Sequence, residues 1–374
     1  MLYLTQSLKA FFQMIDKSNQ FVIIFGPEIW SLQENGGISR YCYEIIRILD
    51  SMELNVKAIV GPNSNVYSKL IDKKLIVKID RESPSSVRHA MSDVTRGFEK
   101  GIYHATYYDK QNLRIAKEFG LRTFVTVHDL IGDLFPAKIK WYQRRNRIQQ
   151  KAVEECDHVV SVSKNTKKDL LRLYNVSEEN VRVIHQGVSP LENSYQNVDL
   201  PKTPFVLHVG SREGYKNFLF TAEAISQSSD LYHLKVVAFG GGEFSKFERQ
   251  RLEEIGMTER VQHLSGSDGI LNLLYRSATA LIYPSLYEGF GVPPLEAMRS
   301  RCPAVVSDRG SIPEICGSFA CYFNPESFTS FEAAINSVLH NKYNYQLEEA
   351  FLHSQKYTWE RTAERTLSYY REVI

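Results

Sequence analysis

Ile282-Tyr283-Pro284-Ser285-Leu286-Tyr287-Glu288-Gly289-Phe290-Gly291-Val292-Pro293-Pro294-Leu295-Glu296-Ala297-Met298 reads as a strand end, a loop and the opening of a helix. The two glycines around Phe290 allow positive φ and a close backbone approach to a ligand. Pro293 and Pro294 suit the first helical turn, where a missing N–H costs nothing. Glu296 is expected in that first turn, at the positive end of the helix dipole, with Glu288 on the loop before it. A helix N-terminus offers N–H groups to an anion. Fixed carboxylates beside it suit a ligand that carries phosphate and hydroxyls together, such as a nucleotide sugar. The plain alternative is a Gly/Pro connection with surface acids.

The rest of the chain repeats this strand–turn–helix grammar. At 374 residues it suits two α/β domains better than one. Hydrophobic residues at 43% and charged residues at 24% exclude a disordered or fibrous chain, and a net charge of +2 argues against a nucleic-acid binder. No run of about 18 apolar residues predicts a membrane span, and the start lacks the pattern of a signal peptide. Five scattered cysteines without a C-x-x-C pair predict reduced thiols in the cytoplasm and no zinc site.

Buried-strand runs are expected at Phe21–Gly26, Val56–Val60, Ile102–Ala105, Thr123–Val127, His158–Val162 and Val181–Val188. Asn35-Gly36-Gly37 opens a helix after the first of them. His128-Asp129-Leu130 ends another, at the strand terminus where α/β sheets place ligands. Ser189–Thr203 reads as a linker. A second series then runs Pro204–Gly210, Lys235–Phe239 with Gly240-Gly241-Gly242 after it, Val261–Leu264, the stretch quoted above, and Ala304–Ser307 as the last sheet strand. Arg212 and Lys216 follow the first strand of this series: one cation suits bidentate phosphate binding, the other acts as a point charge. As a bland alternative they are exposed loop cations. No G-x-G-x-x-G, P-loop or D-x-D occurs, so dehydrogenase, NTPase and cation-bridged diphosphate readings lack their fingerprints.

These motifs together resemble the retaining glycosyltransferases of the large family 4, and in particular its bacterial surface-polysaccharide mannosyltransferases. The resemblance rests on the E-x7-E spacing of Glu288 and Glu296, G-x-R-x3-K-N at Gly210–Asn217, the V-H-D at His128 and the GG loop, and covers about residues 21–374. It implies the GT-B fold: two doubly wound Rossmann-like domains facing a central cleft. The expected organisation is 1–190 as an acceptor-side domain, with 1–19 as an added amphipathic helix. A linker at 191–203 leads to a nucleotide-sugar-binding domain at 204–356, and 357–374 form a helix crossing back to the first domain.

The resemblance further implies transfer of a hexose, with GDP-mannose as the favoured donor, to a hydroxyl of a glycan or lipid-linked oligosaccharide. His128 and Glu288 would be catalytic. Gly37, Arg212, Lys216, Phe290, Gly291 and Glu296 would bind the donor, and Gly36 with Gly37 would form the acceptor and phosphate loop. No cofactor or metal is expected, since Arg212, Lys216 and helix N-termini would neutralise the diphosphate. UDP-sugar transfer, 2-epimerisation of a nucleotide sugar, or binding without catalysis remain the alternatives. Lys138–Lys151, basic and aromatic without an acid, suits either a solvated helix face or an anionic membrane surface. A cytoplasmic enzyme at the inner face of the membrane follows from the second reading.

Overall fold

The computed structural model describes residues 21–135, 140–191, 200–212, 214–340 and 346–374. The proposed helix at 1–19 and most of the 191–203 linker lie outside these residues. So do Lys138 and the side chains at 140–145 of the basic run, whose remainder belongs to the helix Lys140–Glu155.

Two parallel sheets organise the chain. The first contains β1 (Val22–Phe25), β2 (Asn55–Val60), β3 (Ile76–Lys78), β4 (Gly101–Ala105), β5 (Arg122–Val127), β6 (His158–Ser161) and β7 (Val181–Val183), in the order β3-β2-β1-β4-β5-β6-β7. The second contains β8 (Phe205–Val209), β9 (Lys235–Phe239), β10 (Val261–Leu264), β11 (Ala280–Tyr283), β12 (Ala304–Ser307) and β13 (Cys321–Phe323), in the order β10-β9-β8-β11-β12-β13. Both orders reverse direction between their first and fourth strands, the doubly wound arrangement that puts ligands at the carboxyl ends of the strands. Ala304–Ser307 is therefore not the last sheet strand. Cys321–Phe323 pairs with it in parallel, Val305 opposite Cys321. Three residues are too few to show a periodicity of their own.

The chain groups into two compact units. One takes the described residues up to Thr126 with Arg147–Val160 and Ala363–Ile374; the other takes those of Val127–Asn146 and Ser161–Thr362. In the first unit the end of β1 is tied to the end of β4 through the buried Glu28. Its carboxylate accepts from the Thr106 N–H at 3.0 Å, the Thr106 hydroxyl at 2.9 Å, Asn112 Nδ2 at 2.9 Å and the Tyr103 hydroxyl. Burial pushes its pKa up despite those donors. In the same unit Tyr370, on the C-terminal helix, bonds to His104 of β4 and packs edge-on against Phe124 of β5. Trp359, Ala363, Leu367 and Tyr370 form the apolar stripe that this helix buries. Its start at Trp359 is capped by Thr358, whose Oγ1 accepts the Arg361 N–H at 3.2 Å.

In the second unit, β8 alternates between two cores. Phe205, Leu207 and Val209 join Leu295, Met298 and Ile312 on one face; Val206 joins Phe218, Ile225, Phe331 and Ile335 on the other. A strand covered on both faces must be apolar throughout, which is why these segments read as unbroken hydrophobic runs.

Candidate active site

The Tyr283–Gly291 loop leaves β11 and enters the helix Val292–Arg299 through Gly291, whose φ of +103° favours glycine. Because Gly291 makes that turn, the helix begins at Val292, one residue before the first proline. Glu296 is consequently its fifth residue and does not stand in the first turn, so its place there by dipole attraction is withdrawn. A specific partner holds it instead: the buried Tyr275 hydroxyl donates to Glu296 Oε2 at 3.1 Å. Burial, and then the charge of Glu296, drive the Tyr275 pKa far above its ordinary range, so this hydroxyl keeps its proton.

Glu288 is 7% exposed, and its Oε1 accepts from Lys216 Nζ at 2.7 Å. Lys216 also reaches the Tyr283 hydroxyl at 3.3 Å. Lys216 is brought there by a single helical turn, Gly214–Lys216, directly ahead of Asn217. Asn217 adopts a left-handed conformation (φ +56°) and donates through Nδ2 to the Pro325 carbonyl at 2.9 Å. A bond from Leu286 N–H to the Tyr215 carbonyl, 2.7 Å, ties the two loops together. Burying two ions carries a desolvation penalty that can exceed their attraction, so the pair is weak evidence of fold stabilisation.

Arg212, expected as a phosphate clamp, is held by a turn of the same unit. Its guanidinium donates to Glu248 Oε1 at 2.7 Å, to the carbonyls of Gly240 at 2.9 Å and Gly242 at 2.8 Å, and to that of Glu243 at 3.0 Å. It lies 4.6 Å from the Phe244 ring centroid. Four of the five guanidinium N–H bonds are thus spent on the protein. The partner is a turn of three successive left-handed glycines, Gly240, Gly241 and Gly242, with φ of +81°, +71° and +72°. Arg212 is a knot for that turn.

His128 follows β5 in the second unit and is half-buried. Burial pushes its imidazole down to about 4, so it is neutral at physiological pH. Its backbone lies against the loop: a Cβ at residue 289 would overlap the His128 carbonyl oxygen. The requirement for glycine at 289 is therefore steric, since its φ is not positive. The Phe290 ring turns into the core, 5.9 Å from Tyr357, and leaves only backbone for a ligand. Gly36 and Gly37 belong to the first unit. Gly36 is extended (φ −175°) and caps the helix Gly37–Ser51. A Cβ on Gly36 would strike Gln33, whose side-chain oxygen accepts the Ser39 N–H at 3.2 Å; a Cβ on Gly37 would meet nothing within 4 Å. Among the described residues, no three His, Cys, Asp or Glu side chains are grouped to hold a metal ion.

Two family profiles match. "Glycosyltransferase Family 4" takes in residues 35–190 and "Glycosyl transferases group 1" residues 192–353. The chain belongs to the family 4 glycosyltransferases. Among its relatives is O-antigen chain mannosyltransferase RfbU of Salmonella typhimurium, 31% identical over 215 residues that span 57% of this chain and 60% of that protein. Another is O-antigen chain mannosyltransferase B of Escherichia coli, 25% identical over 301 residues, 74% of this chain and 75% of that one. Sucrose-phosphate synthase from Thermosynechococcus elongatus has the same fold, with a TM-score of 0.70 at 18% identity over 95% of this chain and 99% of that one. So does Anabaena Alr3699/HepE in complex with UDP-glucose, at 0.71 and 16% identity over 93% of this chain and 100% of that one. The two sheets are the Rossmann-like halves of a GT-B glycosyltransferase fold.

Tyr275, which holds Glu296, carries no signal of its own in the sequence. Tyr275 sits four residues past Leu271 in an ordinary amphipathic helix. Only the partner it meets, Glu296, marks it.

Proposed function

We propose that this protein is a retaining, metal-independent glycosyltransferase that moves mannose from GDP-mannose to a hydroxyl of a glycan or lipid-linked oligosaccharide. The observation that carries the reading is the buried Lys216–Glu288 pair, 2.7 Å apart, immediately before the helix at Val292. A nucleoside-diphosphate sugar needs a cation for its leaving group and an acceptor of hydrogen bonds for its sugar hydroxyls, side by side.

In the reaction the bond from the sugar C1 to the diphosphate oxygen breaks, and the acceptor oxygen bonds to C1 on the same face. The acceptor's proton passes to the departing phosphate. Lys216 and the N–H groups of Gly291 and Val292, the ones left at a helix start followed by two prolines, stabilise the charge that grows on the diphosphate, a preorganised effect worth several kcal/mol. Glu288 orients the sugar hydroxyls, and Glu296, held by Tyr275, hydrogen-bonds the ribose. His128, neutral, faces the sugar as a hydrogen-bonding group without adding positive charge near C1. Arg212 contributes through the turn that it ties.

The mannosyl donor rests on the two O-antigen mannosyltransferase relatives. A UDP-hexose donor is the second reading, favoured by the UDP-glucose held by the Anabaena neighbour. A lipid-linked acceptor would place the protein at the inner face of the membrane; among the described residues no helix is long and apolar enough to cross it. The test is a thermal-shift panel of GDP-mannose, UDP-glucose, UDP-GlcNAc, UDP-galactose and dTDP-rhamnose in EDTA, followed by transfer assays with Glu288→Ala. A ligand bound by the native state alone raises the melting temperature. A shift with GDP-mannose and lost transfer in the variant are expected. Shifts that need added Mn²⁺ or Mg²⁺, or full activity in Glu288→Ala, overturn the reading.

A further inference from the structure

The loop carrying Glu288 is held by a set of hydroxyls, and one comes from a helix that the reading above leaves without a role. Three successive carbonyls are taken in turn. The single Ser311 Oγ proton is shared between the Glu288 carbonyl at 2.9 Å and the Phe290 carbonyl at 2.8 Å, while Thr166 Oγ1 donates to the Gly289 carbonyl at 3.0 Å. Thr166 lies near the start of the helix Lys164–Leu173 and is fully buried. Its hydroxyl also receives the Ser163 hydroxyl at 3.0 Å. A hydroxyl that accepts from Ser163 has its single proton left for Gly289, so the bond's direction is set. One turn further along the same helix, Asp169 accepts from the Tyr287 hydroxyl at 2.9 Å, and Arg172 and Asn165 hold the Asp169 carboxylate in place. The helix thus grips the loop on both sides of Glu288.

We propose that Thr166, supported by the Asp169–Tyr287 pair, is a positioning residue that fixes the peptide planes around Glu288 and so aims its carboxylate at the donor sugar. The proposal rests on Glu288 acting on the donor, as argued above. Thr166 touches no substrate. It acts on kcat, because a loop released from Thr166 still binds nucleotide but presents Glu288 and the adjacent N–H groups in a broader range of orientations. Displacements of about 1 Å at such a site can cost a hundredfold in rate.

The experiment compares wild type, Thr166→Val and Thr166→Ser in steady-state transfer from the nucleotide sugar the wild type uses, alongside amide hydrogen exchange over residues 287–291. Valine keeps the shape and the backbone N–H that Ser163 Oγ caps at 3.0 Å, but removes the donor to Gly289. For Thr166→Val we expect kcat to fall about tenfold or more, KM to change less than about threefold, and loop exchange to accelerate. Thr166→Ser should stay within about threefold of wild type on all three readouts. Wild-type kcat and exchange in Thr166→Val overturn the proposal, as do equal losses in the valine and serine variants, which would assign the effect to the methyl group. If the wild type turns over no nucleotide sugar, the functional reading falls, while unchanged or accelerated exchange in Thr166→Val still decides whether the hydroxyl holds the loop.

Discussion

Replacing Arg212 by Gln separates two roles that one arginine could play. As the knot of the Gly240–Glu243 turn it stabilises the fold; as a diphosphate clamp it would bind ligand and leave the fold alone. Its side chain is 3% exposed and that of Glu248 13%, so the pair is buried on one side and reachable by water on the other. Breaking a buried pair costs about 3–5 kcal/mol, because the partner is left uncompensated. Glu248 can recover some hydration and keeps the Ser245 N–H at 2.7 Å, which pulls the cost toward the lower end. Against that, the carbonyls of Gly242 and Glu243 lose this donor, while Gly240 keeps His263 Nε2 at 3.2 Å on its carbonyl and the Leu264 carbonyl at 2.9 Å on its N–H. We expect a loss of about 3–4 kcal/mol on these terms. At about 2–4 °C per kcal/mol for a domain of 150–250 residues, the melting temperature should fall by about 10 °C. The assay is thermal unfolding of wild type, Arg212→Gln, Glu248→Gln and the double variant. The double variant should lose clearly less than the two single losses added, as neighbours in one network do. Arg212→Gln melting within about 2 °C of wild type while its affinity for nucleotide sugar collapses would refute the knot and restore the clamp.

Three other outcomes follow from the geometry. Gly289→Ala should destabilise by about 1–3 kcal/mol and depress transfer, because the new methyl overlaps the His128 backbone carbonyl; chemical denaturation alongside kinetics checks both. Tyr275→Phe should remove the donor to Glu296 and raise KM for the nucleotide sugar by roughly fivefold, about 1 kcal/mol, with kcat little changed. A normal KM would show that Glu296 needs no such support. Acid should destabilise the fold through its buried histidines. His208 is 1% exposed, and burial, then the nearby Lys216 and Arg212, hold its imidazole down at about 4 against an ordinary 6.5. The unfolded chain therefore takes up the proton first as pH falls. Stability from this source is intact above pH 6.5 and lost between 6.5 and about 4, by about 1.4 kcal/mol per pH unit at most. His128 adds in the same direction, but less, being half-buried. Urea midpoints at several pH values should slope less in His208→Gln; an unchanged slope would assign the acid sensitivity elsewhere.

Most strands of the two sheets were legible because a strand covered on both faces reads as an apolar run, with glycine or proline at several of the turns that follow; Ile76–Lys78, half-exposed, and Cys321–Phe323 are too short to give that signal. The spacing puts Lys216 and Glu288 on the turns that follow sheet strands, and the fold sets the two side chains 2.7 Å apart. Arg212 shows the limit. Its spacing is that of a phosphate clamp and says nothing of the carbonyls and carboxylate, from a turn some thirty residues away, that its guanidinium meets in the fold. Glu296 shows it again, since one residue of helix start, granted by Gly291, moved it out of the first turn.

By itself, then, the sequence determined two doubly wound sheets, the turns on which Lys216, Glu288 and His128 stand, and the family to which these motifs belong. Each is a local matter of which face is apolar, where φ can be positive and where an N–H is missing. Tertiary structure alone decided which polar groups are spent on the protein and which are set beside one another. Arg212 against Gly240–Glu243, Tyr275 against Glu296 and Thr166 against Gly289 join residues 21 to 123 positions apart. A hydrogen bond is satisfied by any partner of suitable geometry, so nothing in either residue's own neighbourhood names the other. The folded chain names it.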